Sequence, residues 1–89
     1  MVVTREMTIV GRLGLHARPS AMFTNVASRF DCDVTVQKGD VKVSGKSLIG
    51  LMTLEAGMGT RLKVTADGAD AERALDALED VLKKDFANE

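Results

Sequence analysis

GRLGLHARPS, residues 11–20, carries the only histidine and the only proline of the chain and separates two kinds of periodicity. Upstream, Val3 to Val10 mix β-branched and polar residues and stop at Gly11, the pattern of a strand running into a glycine-bounded loop. Downstream from Pro19, the residues Met22, Phe23, Val26, Ala27 and Phe30 recur at the spacing of an amphipathic helix. Pro19 suits the first turn of that helix, where no N–H is required. The stretch therefore reads as a strand-to-helix junction with an imidazole, His16, at the end of the loop.

Beyond the first helix, Cys32 to Gln37 alternate with period two, Lys38-Gly39-Asp40 is a turn signal, and Val41 to Ser44 alternate again, which predicts a β-hairpin. Gly45 breaks the pattern. Leu48, Ile49, Leu51, Met52 and Leu54 then crowd between glycines and predict a short second helix from Ser47 to Leu54. Thr60 to Ala66 place Leu62, Val64 and Ala66 on one face of a fourth strand ending at Asp67-Gly68. Asp70 heads a third helix in which Ala71, Ala74, Leu75, Leu78, Val81 and Leu82 keep helical spacing, with Phe86 as a last candidate. Acidic residues lead it and lysines trail, as the helix dipole prefers.

The order is β-α-β-β-α-β-α, and helices with one apolar stripe each must share one face of the sheet. This predicts an α+β fold, a two-layer open-faced β-sandwich: a four-stranded, mainly antiparallel sheet with three helices on one face and the other face open. A length of 89 residues accommodates one domain, residues 1–89, with no repeat or linker. The last residues, Phe86 to Glu89, read as free to fray.

Composition excludes several function classes. Twelve basic residues face thirteen acidic ones with no long run of either sign, which makes nucleic acid a poor partner. Three Phe without Trp or Tyr leave no base-stacking platform. Arg5 and Glu6 interrupt the early apolar residues, and no later run reaches membrane-spanning length, so a cytoplasmic protein without membrane insertion is expected. Cys32 has no partner cysteine for a disulfide and no second histidine to build a metal cage with, and reads as a small apolar strand residue.

His16 sits where the N–H groups of a helix start converge and the helix dipole presents its positive end, a place that holds anions. A neutral imidazole carries a nitrogen lone pair able to attack phosphorus. The N–H groups of Ala17 and Arg18, with the Arg18 guanidinium, stand ready to stabilise the phosphoryl oxygens that result. The plainer alternative is that His16 caps the helix or fills a loop while Arg18 lies on a solvated face. On the residues alone the two readings are level.

GLHARPS is similar to the active-site signature of the HPr family, the histidine-containing phosphocarriers of the bacterial phosphoenolpyruvate-dependent sugar phosphotransferase system. KSLIGLMTL resembles the family's second signature, around its regulatory serine, and element order and length agree along essentially the whole chain. The resemblance implies that His16 accepts a phosphoryl group on Nδ1 from phosphorylated enzyme I and passes it to enzyme IIA domains of sugar permeases, with Arg18 as phosphate partner. It implies a carrier rather than an enzyme, with no cofactor and no metal, acting as a monomer. Leu48, Ile49 and Met52 are then docking candidates; a short helix is not expected to expose all three, and Leu48 and Met52 are favoured, with Phe23 in the core.

Ser47 is most simply an N-cap. The resemblance adds phosphorylation of this serine by HPr kinase/phosphorylase in carbon catabolite control, which would put a dianion beside the docking patch and weaken enzyme I binding. Two residues depart from the family's usual pattern. Glu55 stands where a glycine is more frequent, and Ser20 replaces an alanine, its hydroxyl expected to bond back into the first helical turn without functional weight. Two other readings stay open: a nitrogen-related phosphocarrier paralogue, and a non-catalytic binding module of ferredoxin-like shape. A small acylphosphatase-like hydrolase is disfavoured by the His-Ala-Arg-Pro order and the missing glycine-rich cradle.

Overall fold

Seven elements follow in the expected order: β1 (Val2–Thr8), α1 (Ala17–Ala27), β2 (Cys32–Lys38), β3 (Val41–Ser44), α2 (Leu48–Thr53), β4 (Arg61–Gly68) and α3 (Ala71–Leu82). The computed structural model describes residues 1–84, so Phe86 and the terminal FANE lie outside the described residues. The sheet order is β1-β4-β2-β3 and every neighbouring pair is antiparallel. Register places Thr4 opposite Thr65, Val34 opposite Ala66 and Val36 opposite Val43.

Period-two alternation decides which side chains meet the helices. Met7, Val34, Val36, Leu62, Val64 and Ala66 are buried on the helix side, while Thr4, Lys63 and Asp67 face outward on the open side. Phe23 of α1, Leu51 of α2 and Leu75 and Leu78 of α3 close over them, each essentially inaccessible. Burying one such side chain contributes about 1.5–3 kcal/mol, so this layer is the main source of stability. Ala71 and Ala74, fully buried on α3, let that helix lie close to β1 and β4.

Arg5 lies on the helix side of the edge strand β1. Its guanidinium donates to Asp76 at 2.8 Å, Glu79 at 3.2 Å and Glu72 at 3.2 Å, spanning about two turns of the acidic face of α3. The hydrogen bond to Asp76 is the chief reason its pKa is raised further, against the opposing effect of desolvation.

Several boundaries move. The first helix starts at Ala17 with Pro19 in its first turn, as expected; its first intrahelical bond runs from Ser20 N to His16 O (3.1 Å), so a proline at the third helical position removes nothing. It ends at Ala27, leaving Phe30 beyond it and partly buried. The first strand stops at Thr8, although Ile9 still donates to Thr60 O at 3.0 Å. The fourth strand continues through Asp67 and Gly68 because Gly68 lies opposite Cys32 and donates to Met1 O at 2.8 Å. A Cβ at residue 68 would lie 2.5 Å from that of Cys32, so a glycine is what lets the strand run on.

Candidate functional site

The loop between β1 and α1 is laced to the segment after α2. Gly59 N donates to Ile9 O (2.8 Å) and Leu15 N to Ala56 O (2.8 Å), while within the loop Gly14 N donates to Gly11 O (3.0 Å). Gly14 has φ +69°, and a Cβ there would sit 2.5 Å from Ala56 O, so both the backbone angle and the close approach require glycine. Leu15 is buried in the core and anchors the residue immediately before the histidine.

His16 occupies the N-cap position of α1 in extended conformation (φ −81°, ψ −168°) and is partly exposed, and its side chain makes no capping hydrogen bond. The capping role considered for the ring is therefore absent, and the imidazole is left for other chemistry. Ala17 and Arg18 follow as the exposed first residues of the helix, and no acidic residue stands in the first turn to offset the positive end of the dipole. An anion bonded to a ring nitrogen of His16 would meet that end of the helix.

Ser47 is the N-cap of α2: its Oγ accepts from Gly50 N at 3.0 Å. The expectation that a short helix could not expose Leu48, Ile49 and Met52 together is overturned. They are 41%, 75% and 43% exposed, and the inward contact is made by Leu51, with Leu54 just beyond the helix. A six-residue helix needs only that anchorage because Gly50 lies directly against Val43 of β3, 3.2 Å from where a Cβ would stand. Phe23 is in the core, as expected.

The segment leaving α2 is held as firmly as the helix. Lys38 Nζ donates to Leu54 O at 2.9 Å and Glu55 O at 3.3 Å, covering carbonyls at the helix C-terminus. Glu55 is held at φ +51°, the left-handed region where a Cβ is strained. Ala56 follows and accepts the Leu15 bond, so α2 and the His16 loop are joined through two residues of backbone.

Ser20 has a role the sequence reading did not assign. Its hydroxyl donates not into the helical turn but to the carbonyl of Leu15 at 3.1 Å, and it is the one buried polar side chain among the described residues. A signal for it existed: Ser20 precedes Phe23 by three residues and Ala27 by seven, so it lies on the buried stripe of α1, where a hydroxyl must find a partner.

Elsewhere the chemistry is sparse. Among the described residues no three His, Cys, Asp or Glu side chains gather to hold a metal, and no helix is long and apolar enough to cross a membrane. Cys32 is buried in β2, and desolvation pushes its thiol pKa up. A shallow depression of about 440 Å³ lies over β2 and β3, lined by residues such as Asp33, Thr35, Lys42 and Lys46, none of them from the His16 loop or α2.

Residues 3–84 match the family described as PTS HPr component phosphorylation site. The chain is 44% identical over 85 residues to the phosphocarrier protein HPr of Neisseria meningitidis serogroup A, covering 96% of each. It is 43% identical over 74 residues to the phosphocarrier protein NPr of Shewanella violacea, covering 83% of this chain and 81% of that one. The crystal structure of HPr-C-His from Thermoanaerobacter tengcongensis superposes with a TM-score of 0.89 at 38% identity, covering 98% of both chains.

Proposed function

The chain belongs to the HPr family of phosphocarrier proteins, and from that premise we propose that His16 accepts a phosphoryl group from phosphorylated enzyme I and passes it to enzyme IIA domains of sugar permeases. The observation that carries this is a partly exposed imidazole at a helix start, released from capping and joined by backbone to a helix that presents three apolar side chains.

In the transfer, the lone pair of the His16 Nδ1 attacks phosphorus in line, forming an N–P bond as the donor's own P–N bond breaks and its electron pair returns to the donor histidine nitrogen. The other ring nitrogen of His16 keeps its proton. Ala17 and Arg18 N–H groups and the Arg18 guanidinium stabilise the oxygens. The second transfer is the same step with His16 as leaving group, which suits a shallow site that binds phosphate without trapping it.

Leu48, Ile49 and Met52 supply the surface that enzyme I and enzyme IIA cover in turn. Phosphorylation of Ser47 by HPr kinase/phosphorylase would set a dianion at the edge of this surface and weaken docking. The protein works in the cytoplasm as a single-domain monomer.

Incubation with enzyme I and phosphoenolpyruvate, followed by mass and phosphorus NMR, tests the reading. One acid-labile phosphoryl group is expected, absent from His16→Ala; a folded sample that stays unmodified refutes it. The similarity to NPr favours one second reading, a nitrogen-branch carrier. Faster phosphorylation by the nitrogen-branch enzyme I than by the sugar-branch enzyme would select it.

A further inference from the structure

We propose that Ser20 is a positioning residue for His16, fixing the peptide plane on which the imidazole is mounted. This rests on the carrier reading and deepens it. The Leu15 carbonyl and the His16 N–H belong to one planar trans peptide and point in opposite directions. Its carbonyl accepts from Ser20 Oγ at 3.1 Å, while the preceding peptide is held separately by Leu15 N donating to Ala56 O at 2.8 Å. Ser20 also makes the first helical bond, its backbone N donating to His16 O at 3.1 Å. One residue thus grips the carbonyl that precedes His16 and the carbonyl of His16 itself.

The consequence is electrostatic. Ser20 is fully buried, so the carbonyl it holds is committed to a buried donor. A phosphoryl group on His16 needs donors around it, and a carbonyl released from Ser20 could swing to face it and repel it. The hydroxyl acts before any phosphate arrives, keeping the peptide in the orientation the charged form requires, and it touches no reacting atom.

The test compares wild type, Ser20→Ala and Ser20→Thr. Alanine favours the helix and fills nearly the same volume, while threonine restores the hydroxyl. Three readouts are taken: the Leu15 carbonyl carbon shift, the phosphorylated fraction at fixed phosphoenolpyruvate-to-pyruvate ratios with enzyme I, and the phosphohistidine lifetime after enzyme I is removed. For Ser20→Ala we expect an unchanged circular dichroism spectrum, a moved Leu15 resonance, and a transfer equilibrium and lifetime each lowered by about threefold to tenfold, the scale of one hydrogen bond. Ser20→Thr should recover both. Wild-type equilibrium and lifetime in Ser20→Ala, or equal losses in the two variants, would overturn the positioning role while leaving the carrier reading intact. A wild-type protein that accepts no phosphate overturns the carrier reading itself, and the positioning role with it.

Discussion

The amide of Leu15 donates to the carbonyl of Ala56 across 2.8 Å, so the residue before the histidine is fastened to the segment that leaves α2. Helix α2 and His16 are thereby parts of one backbone assembly, and Gly14 is the residue whose missing Cβ lets the two segments touch.

Gly14→Ala should therefore damage both stability and transfer. The new Cβ would meet Ala56 O at 2.5 Å with φ at +69°. Urea unfolding should report a loss of about 2 kcal/mol or more, and phosphorylation by enzyme I should slow even where the variant remains folded.

Glu55→Gly should do the opposite for stability and nothing to the chemistry. Glu55 holds φ +51° just past the C-terminus of α2, a position where glycine is unstrained. A gain of about 1 kcal/mol is expected, visible as a melting temperature about 4–8 °C higher. An unchanged or lower melting temperature would mean that the Glu55 side chain contributes more than its backbone strain removes.

Ser47 separates capping from docking. Ser47→Ala loses the bond from Gly50 N and should cost about 1 kcal/mol. Aspartate caps as well as serine, so Ser47→Asp should melt near the wild type while its affinity for enzyme I, measured calorimetrically, falls about tenfold, equivalent to about 1.4 kcal/mol. Full affinity in Ser47→Asp would remove the basis for regulation at this position.

Arg5→Ala should cost about 1–2 kcal/mol, because one partly exposed guanidinium serves Glu72, Asp76 and Glu79 together. The difference from wild type should shrink in high salt. A salt-independent loss would assign the effect to the packing of the arginine stem instead.

The Cys32 thiol, pushed up by desolvation, keeps its proton to higher pH in the folded chain than in the unfolded one. The folded state then binds more protons across that interval, so stability falls as pH rises from the unfolded thiol's range toward the folded one. Urea midpoints measured from neutrality to about pH 9.5 should decline more steeply in wild type than in Cys32→Ala, and native Cys32 should resist alkylation at neutral pH.

What could be read in the chain beforehand follows from how local each cause is. The stripe of α3, from Ala71 to Leu82, and the alternation of Leu62, Val64 and Ala66 are properties of neighbours in sequence, and the structure buries every one of them. The placing of Pro19 in the first turn of α1 is equally local, because a residue without an N–H fits only where no intrahelical donor is needed. In α2 the count of apolar residues could not reveal that Leu51 alone anchors the helix. The Arg5 cluster and the grip of Ser20 on Leu15 depend on which element lies over which, and spacing along the chain does not encode that directly. For His16 the junction between strand and helix was legible, whereas the absence of a capping bond emerged only from the side-chain geometry.

The strand order β1-β4-β2-β3 has a further consequence for a chain synthesised from its N-terminus. Both β1 and β2 pair with β4, which comes from residues 61–68, so β1 has no partner strand until most of the polypeptide has emerged. The bonds that shape the His16 loop reach just as far forward, from Leu15 to Ala56 and from Ile9 to Thr60. Loop closures of that span form late. A nascent fragment on the ribosome therefore has the histidine before it has the bonds that fix the backbone around it.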